Sequence, residues 1–135
     1  MKIHYILVGI CTLLLASCAK KPINGDLDGR WQLMTIDCHE DGTQTKPEYT
    51  YYSFSLHLMD LKHREEGVEI MGTVGKPGRF NHTEDSLHIR MVNCKQSQMP
   101  IYGMNDTIQH FAVEELNKKK MILNSEYARL SFRKF

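Results

Sequence analysis

Tyr52-Ser53-Phe54-Ser55-Leu56-His57-Leu58 alternates apolar and polar residues at every step. A period of two sets Tyr52, Phe54, Leu56 and Leu58 on one face of an extended strand, with Ser53, Ser55 and His57 on the other. The continuation Met59-Asp60-Leu61 moves the apolar residues to the opposite parity. Within one strand such a shift predicts a β-bulge, the device by which small closed sheets bend.

The same period recurs on both sides of this stretch. Val68, Ile70, Gly72 and Val74 share one parity, as do Leu87, Ile89 and Met91; Met121 with Leu123 and Leu130 with Phe132 follow near the end. Turn chemistry separates these runs, at Lys76-Pro77-Gly78, Glu84-Asp85-Ser86, Met104-Asn105-Asp106 and Asn117-Lys118-Lys119. The nearest helical candidate, Phe111 to Leu116, is short and precedes a turn. Many short strands without a helical stripe predict an all-β domain, a sandwich or a barrel. No internal repeat or low-complexity segment interrupts it.

The amino terminus has a different character. Lys2 precedes an almost unbroken apolar run from Tyr5 to Leu15, followed by Ala16, Ser17 and Cys18. That is the three-part layout of a secretory signal. The run falls well short of the roughly 20 residues that span a bilayer. Leu15-Ala16-Ser17-Cys18 also resembles a bacterial lipobox, in which the cysteine receives diacylglycerol and the signal is cut just before it. The expected organisation is a cleaved signal over 1–17, a lipidated polar tether over 18–27 and a domain over 28–135. Removing 17 of the 135 residues leaves 118, the size of one domain. The mature chain carries equal numbers of basic and acidic residues, and no basic block suggests nucleic acid. Lys118-Lys119-Lys120 reads as a solvated hairpin tip.

Two cysteines, Cys38 and Cys94, remain in the domain. In an oxidising compartment they either pair, contributing about 4 kcal/mol if the geometry permits, or stay as separate buried thiols. Neither has a partner at metal-ligand spacing, so no metal or cofactor is expected. Asn24-Gly25-Asp26-Leu27-Asp28-Gly29 matches the first half of a calcium loop, but Thr35 stands where the twelfth-position glutamate belongs. The pairs Glu65-Glu66 and Glu114-Glu115 would face opposite ways in a strand and read as surface charge. The histidines at 39, 57, 63, 82, 88 and 110 are scattered, and no nucleophile sits in an elbow. Enzymatic activity is not expected. Methionines at 34, 71, 91, 99, 104 and 121 serve either as core fillers or as a soft ligand lining.

Gly29-Arg30-Trp31 at the entry to the first strand resembles the G-x-W signature of lipocalins. Tyr52-Ser53-Phe54, a Gly78-Arg79-Phe80 turn leading into Leu87-His88-Ile89, and the closing Leu130-Ser131-Phe132-Arg133-Lys134-Phe135 fit the same pattern. With the lipobox, the chain is similar to the small lipocalin-like lipoproteins of Bacteroidetes. The resemblance implies a small antiparallel up-and-down barrel of about eight strands. It implies that an arginine of the last strand, Arg133 or Arg129, covers the ring of Trp31 and helps to close the barrel. It also implies an outer-membrane anchor at Cys18 facing the periplasm, since Ala19-Lys20-Lys21 lacks the usual retention and surface-export residues. The implied function is to bind a small apolar ligand. A filled barrel acting through its outer surface, as an inhibitor or accessory subunit, is the alternative. An apolar cavity of about 300 Å³ or more would favour the first.

Overall fold

The computed structural model describes residues 23–65, 67 and 74–135. The lipobox with Cys18, together with Val68, Ile70, Met71 and Gly72, lies outside the described residues. Among the described residues, nine strands form one antiparallel sheet: β1 (Gly29–Cys38), β2 (Gln44–Thr45), β3 (Thr50–Ser55), β4 (Leu58–His63), β5 (Lys76–His82), β6 (Ser86–Met91), β7 (Ile108–Leu116), β8 (Lys120–Asn124) and β9 (Ala128–Lys134). Strands β3 to β9 pair in chain order, and β1 bonds to both β3 and β9. The result is a closed eight-stranded barrel, with β2 as an extra strand against the second half of β1. Closure leaves no open edge on the eight, which removes the usual template for aggregation.

Residues 52–61 do not run as one strand. Ser55 pairs with Leu58, Phe54 with Met59 and Tyr52 with Leu61, so Leu56 and His57 form a two-residue hairpin. The parity shift at Met59 is therefore this turn and not a bulge. Tyr52, Phe54, Met59 and Leu61 all become core residues, while Leu56 and Leu58 are exposed. The signal was missed because a leucine occupies the turn, with a left-handed φ of 57° that Asn or Gly adopts more readily. The real register breaks fall between Leu33 and Thr35, and between Val113 and Glu115.

Lys76-Pro77-Gly78 and Gly78-Arg79-Phe80 are strand and not turns, for a packing reason. A Cβ on Gly78 would stand 2.7 Å from Met91 Sδ and 3.2 Å from Met59 Cγ. The glycine thus admits two methionines from the flanking strands. Pro77 has no N–H to donate, but its carbonyl accepts one from Val92 at 3.0 Å. Phe111 to Leu116, the helical candidate, lies in β7. The turns at 84–86 and 117–119 do form; Asn117 Oδ1 accepts the N–H groups of Lys119 and Lys120, each at 2.9 Å.

One end of the barrel carries the short hairpins at 56–57, 83–85 and 117–119. The opposite end, the mouth, carries the longer connections at 39–49 and 92–107. Between them lies one core. Trp31, Leu61, Leu87, Ile89, Phe111, Met121, Leu123, Leu130 and Phe132 turn inward from the strands. Met99, Tyr102 and Met104 join them from the β6–β7 connection.

Candidate functional site at the barrel mouth

The β6–β7 connection decides how much interior remains. Gln96–Gln98 and Pro100–Tyr102 are two single-turn 3-10 helices. Gln96 Nε2 donates to the Asn105 carbonyl at 3.0 Å, and the Asn105 N–H donates to Gln109 Oε1 at 3.2 Å, tying the loop to itself and to β7. Gly103 ends the second helix at φ 79°, and a Cβ there would lie 2.3 Å from Leu130 Cδ2. Only glycine lets the loop approach β9 so closely. Its apolar side chains consequently drop into the barrel, where Met99 and Met104 have no exposed surface.

Two tyrosines fix this plug. The Tyr52 hydroxyl, on β3, donates to the Tyr102 carbonyl. Burial raises both phenols, with Tyr102 pushed up to about 12, so both stay neutral donors at any physiological pH. The described methionines at 91, 99, 104 and 121 are thus fillers of a packed interior, together with Met59, which sequence reading did not single out. Met34, at the β1 register break, is only half-buried.

Space remains above the plug. A pocket of about 430 Å³ lies between the ends of β1, β3 and β4, the Pro100–Ile101 turn and Tyr127. Ile36, Cys38, Pro47, Pro100 and Ile101 give it an apolar wall. Thr50 and His63 supply a polar pair, Thr50 Oγ1 and His63 Nδ1 being 2.8 Å apart. Desolvation by burial, reinforced by Cys38, Asp41 and Glu40, raises the Tyr127 phenol and keeps it uncharged. On the rim, Asp41 accepts the hydroxyl and N–H of Thr43, which lowers its pKa and holds it anionic. Ile101, Thr50, His63 and Tyr127 were not anticipated from sequence. The available signal was the apolar content of Met99-Pro100-Ile101-Tyr102, unusual for a solvated loop.

The residues singled out in advance fall elsewhere. Trp31 is fully buried at the end opposite the mouth, and its Nε1 donates to the Leu27 carbonyl at 2.8 Å. The cation over its ring is neither Arg133 nor Arg129. It is Lys134, whose Nζ lies 4.4 Å from the ring centroid. Trp31 pairs in register with Lys134, and Leu130 and Phe132 share the inward parity, so both arginines point outward. Arg133 Nε donates to Gln32 Oε1 at 2.7 Å and Arg129 Nε to Glu114 Oε1 at 2.6 Å. Cys38 and Cys94 are free, half-buried thiols and not a bridge; Cys94 Sγ is turned to the Val92 carbonyl at 3.3 Å. The calcium-like stretch holds a 3-10 turn, Gly25–Leu27, with Leu27 in the core and Asn24 Nδ2 donating to Asp28 Oδ1 at 2.7 Å. Among the described residues, no group of three or more His, Cys, Asp or Glu could hold a metal ion. Of the scattered histidines, His88 and His110 meet.

A closed eight-stranded antiparallel barrel, shut at one end by a G-x-W tryptophan under a cation and open to a pocket at the other, is the architecture of the lipocalin class. The chain belongs to the lipocalin-like domain family, whose model matches residues 13–135. It is similar to a lipocalin-like protein from Bacteroides uniformis, with 25% identity, a TM-score of 0.68, and coverage of 82% of this chain and 100% of that one. A similar fold occurs in an uncharacterized protein from Bacteroides eggerthii, at 23% identity and a TM-score of 0.68, covering 81% of this chain and 99% of the other. No curated protein matches the chain.

Proposed function

We propose that this chain is a membrane-anchored envelope lipoprotein whose lipocalin-like barrel binds a small, largely apolar ligand at its mouth. One observation carries the binding reading. The barrel interior is filled by Met99, Tyr102 and Met104, yet a pocket of about 430 Å³ persists where ligands enter such barrels. That volume lies within the range of small-molecule sites, roughly 300 to 1,000 Å³. Its apolar wall would hold the body of the ligand. Thr50 and His63 would orient one polar group, and the neutral Tyr127 would add a second donor.

The anchor rests on the lipobox-like Leu15-Ala16-Ser17-Cys18. Lipidated at Cys18, the domain would stand off the outer membrane on the periplasmic side, and the role is binding and not catalysis. A second reading has the packed interior in its favour: a filled barrel acting on a protein partner through its outer surface. Native mass spectrometry of the purified mature protein separates the two. A co-purified small molecule that is lost on substituting Ile101→Asp supports the mouth site. A mass that includes a bound protein subunit and no small molecule supports the alternative. The anchor is tested separately by Cys18→Ala, which should leave an uncut, unlipidated precursor; normal processing of that variant would overturn the anchor.

A further inference from the structure

We propose a second binding site, on the outer face of β5, β6 and β7, for a small amphiphilic anion whose acidic head is held between Arg79 and Arg90. Arg79 and Arg90 are direct cross-strand neighbours, as are His88 and His110 one step along the ladders. All four side chains point outward and are exposed. Like charges directly opposite one another destabilise a sheet, so an unrelieved arginine pair calls for an anion between its members.

Among the described residues, no carboxylate supplies that anion. Neither arginine forms an ion pair among the described residues, whose two ion pairs are Lys120–Glu115 and Arg129–Glu114. On the adjoining strand β4, Asp60 is set against Lys62 and Arg30. On β7, Glu114 is engaged by Arg129 at 2.6 Å. The arginines instead border two depressions. One of about 260 Å³ is lined by His88, His110, Ile108 and Phe80 as well as the arginines. The other, about 390 Å³, adds Met91, Val92 and Asn93. Arg79 and Arg90 are common to both, which puts the two guanidinium-bearing side chains where one bound head could be gripped from two sides.

Apolar side chains flank the charges. Ile108 is 51% exposed and Val92 39% exposed, so an apolar ligand body has partners on either side of the arginines. The histidines complete the site. Their Nδ1 atoms face one another, with ring centroids 4.5 Å apart at 71°. In a neutral pair one Nδ1 donates and the other accepts, so the accepting ring carries its proton on Nε2 as a further donor for an anion. Basic and imidazole donors around an apolar floor select an organic phosphate, sulfate or carboxylate over a neutral ligand or a metal cation.

The test uses phenyl phosphate as the probe, followed by phosphorus-31 NMR of the purified full-length protein. Saturable binding is expected. Arg79→Gln with Arg90→Gln should weaken it about tenfold or more, since charge-assisted hydrogen bonds to the head are lost. Ile108→Ser should weaken it too, and inorganic phosphate should bind less tightly than phenyl phosphate. Ile101→Asp, at the mouth, should leave it unchanged, which keeps this site distinct from the proposed mouth site. These are surface positions, and circular dichroism confirms that each variant is folded. Wild-type affinity in the double arginine variant, equal binding of inorganic phosphate, or no saturable binding at millimolar concentration would overturn the proposal.

Discussion

The Tyr52 hydroxyl donates its hydrogen bond to the backbone carbonyl of Tyr102, joining a barrel strand to the loop that fills the barrel. Both residues are buried, and the bond spans 50 positions of sequence. It therefore holds the plug by a contact that no local sequence pattern encodes. Tyr52→Phe keeps the ring that meets Phe132 edge-on at 4.9 Å and removes only the donor. The buried carbonyl loses its partner, and stability should fall by about 1 to 2 kcal/mol in urea unfolding.

Lys134 closes the opposite end. Besides lying over Trp31, its Nζ donates to the carbonyls of Asp26 and Asp28. Burial lowers its pKa against the opposing pull of Asp26 and Asp28. Lys134→Met should destabilise the fold by about 1 to 2 kcal/mol, through the lost cation–π contact and hydrogen bonds. Arg129→Gln should change it by less than about 1 kcal/mol, because an exposed ion pair contributes little. A larger loss for Arg129→Gln than for Lys134→Met in thermal melts would contradict the assignment.

Leu56 holds a left-handed backbone at an exposed hairpin tip. Its side chain is 58% exposed, and its carbonyl, accepting from Asn24 Nδ2 at 2.8 Å, does not depend on side-chain identity. Leu56→Asn should stabilise the protein by about 0.5 to 1 kcal/mol by relieving the strain. The check is an increase in the urea midpoint with an unchanged slope.

His82 gives the fold a pH dependence. Its Nε2 is buried without a hydrogen-bond partner among the described residues, and burial lowers its pKa, with Asp28 opposing. The folded state therefore binds its proton less readily than the unfolded chain. The stability present above the unfolded imidazole pKa of about 6.5 should be lost as pH falls through the lower folded value. Urea midpoints taken between pH 7.5 and pH 5, both about the range of imidazole titration, should fall more steeply for the wild type than for His82→Gln. Parallel profiles would exclude His82 as a source of the dependence.

Much of the barrel was legible because apolar and polar residues alternate along β6 and β9, as in Leu87-Ile89-Met91 and Leu130-Phe132. Where the reading failed, a side chain had a packing reason to break its local rule. Leu56 occupies a turn position usually held by Asn or Gly, and Gly78 serves two methionines within a strand. The cation on Trp31 was misassigned because the family pattern pointed to arginine while the parity of Leu130 and Phe132 points to Lys134. The mouth was hardest to see. Ile36, Thr50, His63, Ile101 and Tyr127 come from five separate segments and converge only when the barrel closes.

The most direct test of mouth binding is a titration with the neutral apolar fluorophore N-phenyl-1-naphthylamine, for wild type, Ile101→Asp and the Arg79→Gln, Arg90→Gln double variant. The expected result is saturable one-site binding that weakens about tenfold or more in Ile101→Asp, where a charge enters the apolar wall, and stays unchanged in the double variant. Binding indifferent to Ile101→Asp, or no saturable binding by the folded wild-type protein, would contradict the account.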